Sequence, residues 1–328
     1  MTAAARARAD TAEVLLDLAY SARHRDPKSS LAYSSRALAL AAVSGNPELR
    51  SRALAHMANA YRINGDLRLA QVKLAAARRW AERAKTLAED ALSLCDQFEV
   101  WILEEREDWR GAIACARNLF VRRRRLSDLQ GQAHAMLASG LVMTWAGEPA
   151  AAVGPLRWAV ERADIPSLVV SSVSALASAL AYSGQPAAAA DVLSHIVGCD
   201  DLIDEVGPKG HSHLTWIEGH IAAGLGAYGA GRNALLRARE EMAEAGDFLC
   251  VGLISIDLAT TETLAGRPLA AYRAADDADQ AIRAAGGRPQ QGMAATILRA
   301  ARSRVVGQLL LGSVAIEARR AVRRAGAR

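Results

Sequence analysis

Aromatic residues make up only 5 % of the 328-residue chain, against 51 % hydrophobic residues overall. Its packing therefore rests on small aliphatic side chains meeting at close range, as helices do on helices. The four cysteines, Cys95, Cys115, Cys199 and Cys250, include no C-x-x-C pair, so neither a zinc knuckle nor a redox dithiol is expected, and a reducing cytoplasm fits. Lysine occurs four times, at Lys28, Lys73, Lys85 and Lys209. The longest uncharged stretch, 165–190, is interrupted by Pro166, Gly184, Pro186 and six serines, which argues against a membrane span. The first residues, MTAAARARADTAEV, lack an apolar core, so no secretory signal is expected. A charged fraction of 23 % with mean hydropathy near zero excludes a disordered chain.

Catalytic signatures are lacking as well. There is no G-x-x-x-x-G-K-[ST], no G-x-G-x-x-G after a strand and no G-x-S-x-G. Gly224–Gly231 (GLGAYGAG) is glycine-rich but follows a helical pattern and carries no lysine. HSHLTWIEGH, with His211, His213, Glu218 and His220, misses the H-E-x-x-H spacing of a zinc protease. The run Glu104-Glu105-Arg106-Glu107-Asp108 reads as a solvated helix end. No enzyme activity, cofactor or metal is expected.

The net charge of +5 is unevenly placed: residues 280–328 hold ten arginines against Glu317, a local +9, which leaves −4 elsewhere. Arg319, Arg320, Arg323 and Arg324 form a basic tail that could attach to nucleic acid or to an acidic partner. No aromatic is interleaved there to stack on bases, so nucleic acid ranks low as a partner.

What is present is a repeat. From Ser51 the chain reads SRALAHMANAYRINGDLRLAQVKLAAARRW, with Leu54, Met57, Ala58 and Tyr61 on one stripe, a Gly65-Asp66 turn, then Ala70, Leu74 and Ala77. Small residues at the eighth and twentieth positions let two antiparallel helices approach, and the larger ones fill the groove between neighbours. Further copies start near Ala12, Ser93, Ala133, Val170, Ser212 and Gly252, at separations of 37 to 42 residues. The extra length is assigned to loops such as ADIPS after Arg162 and EVGPKGHS before Leu214.

These residues resemble the tetratricopeptide repeat family in a long-period bacterial form, over about residues 12–280. The resemblance implies an all-α, right-handed superhelical solenoid of antiparallel helix pairs whose first helices line a concave groove. About seven hairpins are expected over 1–280, then capping helices and the basic tail over 281–328. It also implies that positions 2, 5, 6, 9, 12 and 13 of each repeat face the groove. Those positions hold Arg52, His56, Asn59, Arg62, Trp101, Glu105, His134, Trp145, Tyr182, His213, Trp216 and His220, together with Asp257 and others. Five of the seven histidines and three of the six tryptophans fall there, although the register was set on glycines and alanines. Arg52, His56, Asn59 and Arg62 share one helical face and resemble the clamp that some tetratricopeptide adaptors close on a terminal carboxylate, while Glu104 and Glu105 depart from it.

The expected function is a non-catalytic cytoplasmic scaffold or adaptor holding a peptide or partner protein in the groove, with no membrane attachment. The alternative is a ligand-responsive regulatory (sensor) module of a bacterial signalling or transcription-control system, taking a peptide or small molecule.

Overall fold

Prolines and short polar side chains set where the helices begin. Six of the nine prolines (Pro27, Pro47, Pro149, Pro166, Pro186 and Pro268) stand at the first residue of a helix, where a fixed φ is preorganised and no N–H is required. Asn46 accepts from the amides of Glu48 and Leu49 at 3.0 and 3.2 Å, and Asp66, Asp108 and Asp128 each accept from the amide three residues on.

The structure, a computed structural model, describes residues 3–23, 26–84, 88–106, 108–197 and 207–284. All regular structure among them is helical: α1 (Ala3–Ala22), α2 (Pro27–Ser44), α3 (Pro47–Ile63), α4 (Leu67–Ala81), α5 (Ala88–Glu105), α6 (Trp109–Arg125), α7 (Leu129–Trp145), α8 (Pro149–Val160), α9 (Pro166–Tyr182), α10 (Pro186–Ser194), α11 (Gly207–Gly224), α12 (Tyr228–Glu244), α13 (Phe248–Leu264) and α14 (Pro268–Ala284). Among the described residues these helices follow one another as seven consecutive pairs. The described residues divide into two compact units, the first ending at Ala135 and the second beginning at Met136, with the boundary inside α7.

The Gly65 turn shows how a hairpin reverses. Gly65 takes φ +82°, its N–H reaches the Arg62 carbonyl at 2.9 Å, and the Asp66 N–H reaches the Tyr61 carbonyl at 2.9 Å. That pair of bonds satisfies carbonyls left over at the end of α3, and the left-handed φ is open to glycine without a Cβ penalty. Asp66 then caps α4, so two residues stop one helix and start the next.

The small positions do what the pattern implies. Ala58, Ala70 and Ala77 are fully buried, and Ser51 Oγ donates to the Ala77 carbonyl at 2.9 Å across the α3–α4 contact. In the second unit Gly140 lies against Leu156, and Gly219 and Gly231 bring α11 and α12 to backbone contact. A Cβ on Gly231 would stand 2.8 Å from the Gly219 carbonyl oxygen.

Two details differ from the sequence reading. EVGPKGHS, expected as a loop, is helical from Gly207 onward; Pro208 sits in the first turn, where proline is tolerated. The last hairpin runs to Ala284, four residues beyond the expected boundary at 280. The capping segment expected after it lies outside the described residues from 285 onward.

Candidate functional site

In the first unit the inner layer is α1, α3 and α5, which side chains at the expected positions stitch together. Arg52 Nη1 pairs with Glu13 Oε2 on α1 at 2.6 Å. The His56 ring meets Tyr20 of α1 edge-on at 6.0 Å and Phe98 of α5 at 5.5 Å between centroids. Arg62 donates through Nε to Asn59 Oδ1 at 3.0 Å and pairs through Nη1 with Glu105 of α5.

This arrangement corrects the clamp comparison. Its cation Arg62 and its amide Asn59 bind each other, Glu105 holds the guanidinium, and Asn59 and His56 are buried. The sequence departure at Glu105 is thus the reason the group is closed on itself. His56 is kept neutral, its pKa lowered to about 3 chiefly by burial, with Arg52 and Arg23 adding repulsion. His134, half-buried on α7, is lowered to about 4 for the same first reason, with repulsion from Arg123 and Arg23 adding to it. Trp101 is half-buried against the apolar cluster that includes Leu54, Met57 and Phe98.

The second unit has its own centre, on α9, α11 and α13. The carboxylate of Asp257, 1 % exposed, accepts from Trp216 Nε1 at 2.7 Å and from the Tyr182 hydroxyl at 3.0 Å, both on Oδ2. His220 Nδ1 lies 3.8 Å from the same oxygen, and its ring leans on Tyr182 with centroids 4.3 Å apart. Three consecutive first helices are therefore tied by one carboxylate. His213 stands edge-on to Trp216 at 5.2 Å and is half-buried at the surface. A pocket of about 10 Å³, the size of one water molecule, opens between Ser178, Tyr182, His213, Trp216 and His220.

The expected residues thus separate into two kinds. Tyr182, Trp216 and His220 are brought together and buried, with Trp216 only 2 % exposed, so they form the floor of the inner face and not its surface. Trp101, His134, Trp145 and His213 are half-buried and reach the outside. Asp257 was one of the groove positions but not among the expected binding residues; a carboxylate set among Ile254, Ile256 and Leu258 was the available signal. Of the remaining tryptophans, Trp80 lies between the guanidiniums of Arg50 and Arg83 at 4.4 and 4.7 Å, and Trp158 is covered by Arg162 at 4.3 Å.

A second charged centre had no sequence forecast. Asp96 of α5, 2 % exposed, is held by Arg78 of α4 at 2.6 Å and by Arg122 of α6 at 2.8 Å, and Arg78 also pairs with Glu99. Cys115 Sγ donates to the Asp96 carbonyl at 3.4 Å and lies 3.7 Å from Glu99 Oε2. Asp96, Glu99 and Cys115 have the spacing of metal ligands, but both Asp96 oxygens already face guanidinium nitrogens. Burial and the two carboxylates push the Cys115 thiol up, away from the thiolate that a metal needs. The cluster is an ion-pair network joining α4, α5 and α6.

The basic tail, Arg319, Arg320, Arg323 and Arg324, lies outside the described residues. Among the described residues no helix is long and apolar enough to cross a membrane.

No family model and no curated protein sequence matches the chain. Solved structures do match. The chain is similar to a Rap protein solved in complex with competence and sporulation factor, with a TM-score of 0.63, 12 % identity, and coverage of 89 % of this chain and 80 % of that one. The fold is a tetratricopeptide-like helical repeat. At this identity the likeness carries the architecture, an all-α solenoid of helix pairs, and no residue roles.

Proposed function

We propose that this helical-repeat protein is a non-catalytic scaffold that captures an extended peptide or a segment of a partner protein on its first helices. One observation supports the reading above all others. In each unit half-buried aromatic and histidine side chains stand over a floor that hydrogen bonds and ring contacts already hold fixed: Trp101 packs on the cluster of Phe98, whose ring meets His56, and His213 stands on Trp216, whose indole N–H is held by Asp257. A rigid floor lowers the ordering cost of binding, and surface aromatics supply contact area with few rotatable bonds. The helical-repeat neighbour, solved with a bound factor, is in keeping with this use of the fold.

The test is a peptide-array screen followed by fluorescence anisotropy on purified full-length protein. A captured peptide should lose about tenfold or more in affinity on Trp101→Ala or on His213→Ala, with helicity unchanged. A peptide indifferent to substitution of Trp101, His134, Trp145 and His213 alike would place recognition off the first helices and end the proposal.

A further inference from the structure

The second unit carries another concave surface, built from α12, α14 and the end of α13, away from the first-helix floor. It is an open basin of about 520 Å³, within the range of ligand-holding clefts. Four guanidiniums line it, from Arg232, Arg239, Arg267 and Arg273, against two carboxylates, Glu262 and Asp277.

The ion pairs leave it positive. Glu262, 2 % exposed, is shared by Arg232 at 2.8 Å and Arg267 at 2.6 Å, and both contacts run through Nε. Arg239 pairs with Asp277 at 2.7 Å. Exposed Arg273 has no carboxylate partner among the described residues. The closest approach in both pairs is through Nε, and a guanidinium has five N–H donors, so one carboxylate cannot occupy all of its edges and each arginine can take a second. Between the arginines the surface is apolar: Leu236 and Leu258 line it, and Leu269 is 78 % exposed.

We propose that this basin docks an acidic, leucine-bearing segment of a partner protein. Carboxylates on such a segment would meet the outer edges of Arg232 and Arg267 and the guanidinium of Arg273, while its leucines would cover Leu269 and Leu236. The chain's own residues 285–328 have the wrong sign for it, with nine arginines and one glutamate. A nucleic-acid strand fits less well, because no aromatic lines the basin to stack on bases and two carboxylates would face its phosphates. Arg239, Leu269 and Arg273 are on second helices, so failure of this proposal and that of the first-helix proposal are separable.

The experiment measures anisotropy of a fluorescein-labelled peptide of glutamate and leucine at helical spacing, bound to the full-length protein. Controls are the same peptide with lysine for glutamate, and a single-stranded oligonucleotide of equal charge. The acidic peptide should bind, the lysine peptide should not, and added salt should weaken the complex. Arg239→Glu with Arg273→Glu should weaken it about tenfold or more, as should Leu269→Asp alone, whereas Trp101→Ala and His213→Ala should leave it unchanged. Arg273 and Leu269 are exposed, so the pair Arg273→Glu and Leu269→Asp keeps the test open if Arg239→Glu impairs folding. Equal binding of the two peptides, indifference to all three substitutions, or an oligonucleotide bound as tightly and released by the same variants would overturn the proposal.

Discussion

Trp216 of α11 donates its indole N–H to Asp257 of α13 at 2.7 Å, and neither side chain is more than 2 % exposed. Their hydrogen bond crosses between two hairpins, so it couples neighbouring repeats where a repeat array otherwise relies on apolar contact. Removing the carboxylate strands two buried donors, since Tyr182 bonds the same oxygen. Asp257→Ala should cost about 2–4 kcal/mol in urea denaturation, and Trp216→Phe about 1–3 kcal/mol. The double variant should cost clearly less than the sum, because the second change removes a partner already lost. Additive costs would show that the two side chains stabilise the fold independently.

Two glycines in one helix are expected to respond in opposite directions. In α12, Gly231→Ala drives a Cβ to 2.8 Å from the Gly219 carbonyl oxygen and 2.9 Å from the Ala223 amide nitrogen, both backbone atoms that cannot swing away. It should destabilise by about 1–3 kcal/mol. Gly229→Ala has open space around its Cβ and should stabilise by about 0.5 kcal/mol through helix propensity. Thermal melts of the two variants beside the wild type decide the matter.

The hairpins were legible because a single residue marks many of the helix ends. Gly65, Gly147, Gly184 and Gly266 announce left-handed turns, and Asp26, Asp66 and Asp108 announce caps, without reference to the rest of the fold. Burial within the inner layer was not legible. Repeat position places Trp216 and His220 on the first-helix face, but whether that face is covered depends on a residue 41 positions away, Asp257, to which Trp216 turns. The Asp96 network escaped for the same reason: its arginines come from α4 and α6, and only packing reveals that they converge on one carboxylate.

Ser127 occupies the α6–α7 junction at φ +54°, the conformation that glycine adopts in the Gly65 turn. Its N–H and that of Asp128 make the same two bonds, to Arg124 and Arg123, at 3.1 and 2.9 Å. The left-handed region costs an L-residue about 1–2 kcal/mol, and glycine's extra unfolded-state entropy takes back part of that. Ser127→Gly should therefore raise stability by about 0.5–1 kcal/mol, read as a higher denaturation midpoint at unchanged m-value.

His56 and His134 give the first unit an acid sensitivity of fixed sign. Their folded pKa values, about 3 and about 4, lie below the ordinary 6.5, so below that pH the unfolded chain takes up protons that the folded chain refuses. Stability is full above pH 6.5 and falls as pH drops toward 4, by up to about 1.4 kcal/mol per pH unit for each residue. Between pH 6.5 and 5, before most carboxylates titrate, His56→Gln should flatten the dependence of unfolding free energy on pH. An unchanged slope would mean that His56 is protonated in the folded protein.

Asp96 is the carboxylate on which three helices depend. Asp96→Ala leaves Arg78 only Glu99 and leaves Arg122 only Glu89, with part of each guanidinium still covered. Losing one partner of a buried pair is expensive, so about 3 kcal/mol is expected, whereas Asp90→Ala, which removes a half-exposed partner of Arg123, should cost under about 1 kcal/mol. The thiols provide an independent readout. Burial raises Cys95 to about 11 and pushes Cys115 higher still, so neither should react with a disulfide reagent in the folded protein at neutral pH. Asp96→Ala removes one of the charges that hold Cys115 protonated and loosens the helix contact covering it. Cys115 should then label faster than Cys95, and equal protection of both in the variant would show that the network does not hold α5 against α6.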